Sequence, residues 1–200
     1  MQRGTSQDSG QQNFMFSMPR DAFCRDCTVL RGHIGLATLD GVKIQPSKEK
    51  GVYIHHILTF DTTKRSAPFL SSCAGGGITT MLGSKFVGSG EDNNNVPVWY
   101  TNKDGSHSGG FHIGAADSFT MNADLVSLNP GTSQIYLTMD MEYLPGKVGS
   151  DTQETLLSVD SCGGQKLRTS TSGPTNSTSG RYTFRQNGSI IVAKGHLHVG

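Results

Sequence analysis

The chain is predicted to be all-β, an antiparallel jelly-roll-like β-sandwich. Three observations predict it. Short apolar runs alternate with turn residues through most of the length. No stretch carries a helical period of apolar residues. Glycine accounts for 26 of 200 residues and charged residues for only 16%, a turn-rich balance. Roughly nine or ten short strands at loop-separated intervals are the pattern of a sandwich. Two hundred residues hold one large domain of this kind, or one and the start of another.

Along the chain, residues 1–20 are rich in Gln, Ser and Gly with little to bury, and are expected to be disordered. Residues 27–39 (CTVLRGHIGLATL) form one or two strands, closed by the turn pair Asp40-Gly41. Residues 52–60 form a strand. Residues 68–81 include Gly75-Gly76-Gly77, too glycine-rich for a strand interior. A polar loop at 91–95 precedes a short strand at 96–100, and 102–110 is another loop. Residues 119–128 form a strand ended by the turn Asn129-Pro130-Gly131. In 134–144, Ile135, Leu137, Met139, Met141 and Tyr143 fall on one face, and Thr138, Asp140 and Glu142 on the other. That period of two marks a half-buried strand, stopped by Pro145-Gly146. Strands follow at 155–159, 182–184 and 189–198, around a Ser/Thr/Gly loop at 168–180. The resulting division is a disordered segment 1–20, a sandwich domain 21–185, and the first strands of a truncated second domain at 186–200.

Seventeen basic residues against 16 acidic ones, without a basic block, argue against a nucleic-acid partner. No apolar run reaches membrane-spanning length. Cys24, Cys27, Cys73 and Cys162 make an even set that fits two disulfides, with three connectivities open. The Cys24–Cys27 pair reads better as a disulfide participant than as half a zinc knuckle or a redox pair, since no second CxxC follows. Sequons at Asn176 and Asn187, together with the cysteines, predict a secreted glycoprotein, although no signal peptide is visible.

Two histidine clusters carry the functional reading: His55-His56 in GVYIHHILTF and His196-Leu197-His198 in GHLHVG. Both lie in apolar runs, where imidazole is not a default residue, and imidazole is the commonest side-chain metal ligand. On a strand, His196 and His198 share one face and make a two-point chelate. His55 and His56 would face opposite ways, with His56 on the side of Val52, Ile54, Leu58 and Phe60. Both can bind one metal only if the strand bends, bulges or ends there. Neutral imidazoles without a nearby Cys or carboxylate suit copper or zinc, and no HExxH is present. The plainer alternative is structural histidines. His33 reads as structural. His107 and His112 (GSHSGGFHIG) are further metal candidates, or simply loop histidines. The glycine-rich segments AGGG at 74–77 and GSGED at 88–92 read as turns, since neither Lys-Ser/Thr nor a helix follows them. Ser72, Asp92 and Asp117 show no triad spacing.

The ordered set of HH, DSFTMNADLVSLNPGTSQIYLTMDMEYLPG, Cys162-Gly163-Gly164 and GHLH resembles the ascorbate-dependent type II copper monooxygenases, which include peptidylglycine α-hydroxylating monooxygenase. Over residues 27–200 the context is most similar to secreted fungal and plant relatives of the stress- and nodulation-related Nod type. The resemblance implies copper, with ascorbate as reductant, and hydroxylation of a C–H bond of a small-molecule or peptide substrate. It implies an electron-transfer copper at His55 and His56 and a dioxygen-binding copper at His196 and His198. Two departures stand out. The strand ADLVSLN lacks the third histidine of the first site. The methionine ligand of the second site would lie beyond Gly200, so the chain reads as a fragment or a shortened product. A non-catalytic secreted sandwich that binds copper, or serves as a structural or interaction protein, is the alternative. A zinc hydrolase is a third. Oligomeric state is not legible.

Overall fold

A computed structural model describes residues 10–44, 51–65, 83–90, 96–102, 104, 106–130 and 134–155. Toward the C-terminus it describes 173, 174, 176, 178, 179, 181, 184 and 187–195. Ten strands follow in order: β1 (Gln11–Ser17), β2 (Cys27–Ala37), β3 (Lys43–Ile44), β4 (Val52–Asp61), β5 (Ser84–Gly90), β6 (Val98–Trp99), β7 (Gly109–Ile113), β8 (Phe119–Ser127), β9 (Tyr136–Pro145) and β10 (Ser150–Asp151). No helix occurs among the described residues. One sheet has the order β1-β8-β4-β5. The other runs β10-β7-β2-β3, with β6 and β9 also paired to β2. Every described pairing is antiparallel except β10 with β7. The predicted all-β sandwich is therefore what the chain forms.

The core lies between the sheets. Val29, Ile34 and Leu36 of β2 and Phe111 and Ile113 of β7 meet Ile54 and Ile57 of β4, Phe86 and Val87 of β5, and Met121 and Ala123 of β8. Phe86 is its aromatic hub, within 4.7 Å of Phe111 and 5.3 Å of Phe119 between ring centroids. Such tilted ring contacts add to area burial. The sheets pack tightly at Gly32, where a Cβ would overlap the Val87 side chain of the facing sheet. The Asp40-Gly41 turn forms as expected: Gly41 has φ of 80°, and Thr38 N donates to Val42 O at 3.0 Å.

Several expectations are corrected. Residues 11–17, read as disordered, form β1, paired residue for residue with β8 from Gln11↔Val126 to Ser17↔Thr120. The strand is held by its backbone ladder and buries little; only Phe14 packs on the core, so apolar periodicity gave no sign of it. Gly88 to Gly90, read as turn, lies inside β5. There a Cβ on Gly88 would sit 3.1 Å from Ile57 O, so Gly88 serves close strand approach. Gly109 and Gly110, read as loop, open β7. Tyr143 is half exposed instead of joining the core face; it pairs with Val29 just where the register of β9 against β2 shifts. Residues 189–195 carry no strand pairing, and Ile190 is largely exposed. Of the strand expected at 155–159, residues 156–159 lie outside the described residues, as do the AGGG segment at 74–77, Ser72, Asp92, Cys73, Cys162, His196 and His198.

Candidate metal centre

β4 is the inner strand on which the first histidine pair sits, flanked by β8 and β5. Its register against β8 slips at that pair. Ile54 faces Leu125, but the next partnered residue is His56, facing Asp124. His55 is the extra residue of a β-bulge. The bulge reverses the alternation of the strand. Before it, Val52 and Ile54 are core residues; after it, Ile57 is. His56 therefore does not share a face with Ile54, as a regular strand requires. It lies opposite Asp124, on the sheet face turned away from the core residues Met121 and Ala123. The condition set by the sequence, a bulge at the pair, is met.

Both imidazoles converge on one carboxylate. Asp124 Oδ2 is 3.1 Å from His55 Nδ1 and 3.7 Å from His56 Nδ1, and the two rings are 5.0 Å apart. One potential ligand atom from each of His55, His56 and Asp124 lies within 4.8 Å of the others. Gln11 Nε2 donates to Asp124 Oδ2 at 2.6 Å and lies 3.4 Å from His55 Nδ1. The Asp124 side chain is only 5% exposed, against 23% and 30% for the histidines. A carboxylate so buried needs compensation. Oδ2 has it, but Oδ1 is buried with no hydrogen-bond partner among the described residues. An orphaned carboxylate oxygen beside two imidazoles fits a cation. Asp124 can act there as third ligand, or as the carboxylate that orients the rings toward an ion.

The sequence reading missed Asp124 and Gln11. The available signal was an acidic residue inside the apolar strand β8, within ADLVSLN, where a third ligand was sought as histidine. The expectation of imidazoles without a nearby carboxylate is corrected accordingly. His107 and His112 do not join the group. The His107 backbone is tied to Asn102 and Thr101 in its loop. His112 stands in β7 of the other sheet, with Nε2 3.5 Å from Asp26 Oδ1. Cys24 and Cys27 form a disulfide with Cα atoms 6.1 Å apart, so they do not supply a zinc half-site. A separate surface groove of about 310 Å³ lies on the other sheet, lined by Arg31, His33, Asp140 and Glu142 among others.

No protein-family model matches the chain, and no solved structure matches it. Among curated proteins the chain is 24% identical over 194 residues to the "Probable copper-dependent oxygenase M1" of Phoma sp.. The alignment takes in 95% of this chain and 47% of that protein. The chain is thus similar, across nearly its whole length, to about half of a protein named as a copper-dependent oxygenase.

Proposed function

We propose that the chain is a copper-binding, oxygenase-like protein in which His55, His56 and Asp124 hold a metal ion. The observation that carries this reading is the β4 bulge. It costs the strand a ladder position and turns two adjacent imidazoles onto one buried carboxylate, one oxygen of which has no partner among the described residues. The likeness to a named copper-dependent oxygenase supports copper in particular. Copper held there would supply one-electron redox chemistry, for hydroxylation of a C–H bond with dioxygen and a reductant such as ascorbate. The chain's own residues bind and orient. The ladder of β4 and β8 fixes the spacing of the imidazoles, and Asp124 offsets cationic charge. The partial exposure of His55 and His56 leaves an approach from solvent. His196 and His198 form the proposed second copper pair, by their resemblance to the second motif of the ascorbate-dependent monooxygenases. The Cys24–Cys27 disulfide and the two sequons support a secreted glycoprotein.

Asp124 favours a second reading. Two imidazoles and a carboxylate are also the donor set of non-haem iron sites and of catalytic zinc. The deciding experiment loads the purified chain separately with Cu(II), with Zn(II) and, without oxygen, with Fe(II), then counts metal after excess is removed. Retained copper lost in both His55→Ala and His56→Ala supports the proposal. A second equivalent lost only in His196→Ala extends it to the C-terminal pair. Ascorbate-dependent oxygen uptake by the copper form separates an enzyme from a non-catalytic copper binder. Retention of iron or zinc in place of copper selects the second reading, and retention of no metal overturns both.

A further inference from the structure

Gln11 is the first residue of β1, the edge strand added to β8. The residue directly across the ladder from its half-buried side chain is Val126. The side chain reaches diagonally to Asp124, two positions along. Asn13 is the residue opposite Asp124, yet its side-chain oxygen accepts from Asn122 Nδ2 at 3.0 Å. The amide that serves the carboxylate is therefore the more distant one. Among the described residues its polar contacts are Asp124 Oδ2 at 2.6 Å and His55 Nδ1 at 3.4 Å, two of the three groups in the centre. An amide N–H2 has two protons and a planar, fixed geometry. Donating to Oδ2, it sets the rotation of the carboxylate and leaves Oδ1 as the oxygen without a partner among the described residues.

We propose that Gln11 is a positioning residue of the metal centre, so that the N-terminal strand is part of the site. This rests on the metal reading above. The amide locks the Asp124 carboxylate against His55 before any ion arrives, which spares the ion the ordering of its own ligands. Hydrogen-bond partners that orient ligands in this way typically change metal affinity by about 10- to 100-fold.

The test uses the full chain and Co(II) alone, whose visible absorption reports coordination geometry. Gln11→Leu keeps the bulk and removes the amide. Gln11→Asn keeps the amide and shortens its reach. Gln12→Ala, at an exposed neighbour on the same strand, is the control. Both Gln11 variants are expected to bind Co(II) about 10- to 100-fold more weakly, with an altered visible spectrum and an unchanged melting temperature in the metal-free form. The control should match wild type in all three. Wild-type affinity and spectrum in Gln11→Leu overturn the role of Gln11 while leaving the metal reading standing. Should Gln11→Leu not fold, Gln11→Asn alone decides by the same criteria. A wild-type chain that takes up no Co(II) or Cu(II) overturns both readings.

Discussion

Asp124 is the residue on which the candidate centre turns, because it is buried and only half satisfied. Gln11 and His55 lie at hydrogen-bonding distance from Oδ2; Oδ1 has no partner among the described residues. A charge in that state is a liability to the metal-free fold and an asset to a cation. Asp124→Asn is therefore expected to have effects of opposite sign. Cu(II) affinity should fall at least about tenfold, while the metal-free protein melts at the same or a higher temperature. Competition titration and thermal unfolding without metal check the pair. A lower melting temperature with unchanged affinity would mark Asp124 as purely structural. The histidines were legible in the sequence because imidazole in an apolar strand is conspicuous. Asp124 was not, because its meaning depends on which strand lies beside β4, and that is a long-range fact.

At the scale of the element, the β4 bulge explains how one strand serves the core and the site together. Ile54 and Ile57 are both fully buried in the core, an odd spacing that a regular strand cannot give. One extra residue corrects the phase, and that residue is His55. Deleting His55 should therefore join Ile54↔Leu125 directly to His56↔Asp124 in an unbroken ladder. The deletion variant is expected to fold, with a circular dichroism spectrum like wild type, and to lose its metal. Deleting Ile54 instead should unfold the protein, since it removes a core side chain and leaves the bulge. A His55 deletion that retains metal would sink the role given to the bulge. The period-two strand 134–144 was legible for a related reason: Leu137, Met139 and Met141 do pack on the core as β9. β1 was not, because an edge strand held by backbone bonds writes little into side-chain pattern.

For the whole molecule, a polar knot joins the sheets away from the candidate centre. Lys64 Nζ donates to Asp61 Oδ2 at 2.7 Å and Asp117 Oδ2 at 2.8 Å, and to the carbonyl of His112. It thereby ties the end of β4 to β7 and to the loop entering β8. Burial pushes the Asp117 carboxyl up, but the Lys64 hydrogen bond, the Gly114 amide and the Lys64 charge outweigh it and hold it at about 2. Its ordinary value is 3.8, so the folded form binds this proton more weakly than the unfolded chain does. Stability from this group is then fully present above pH 3.8 and is lost as pH falls toward 2. Asp117→Asn should lower stability at neutral pH by about 1–2 kcal/mol and flatten the acid limb of the urea-unfolding profile. An unchanged acid limb would show that Asp117 does not carry it.

The sequence by itself determined the fold class, the principal strands and the suspicion of metal at His55 and His56, because these depend on local periodicity and on residue chemistry. Only the tertiary structure decided that the two imidazoles meet at one carboxylate. Strand register across β8, and not the histidine pair, brings Asp124 and Gln11 to them from distant parts of the chain. Register is set by matching whole core faces, a sum over many side chains that no single motif records.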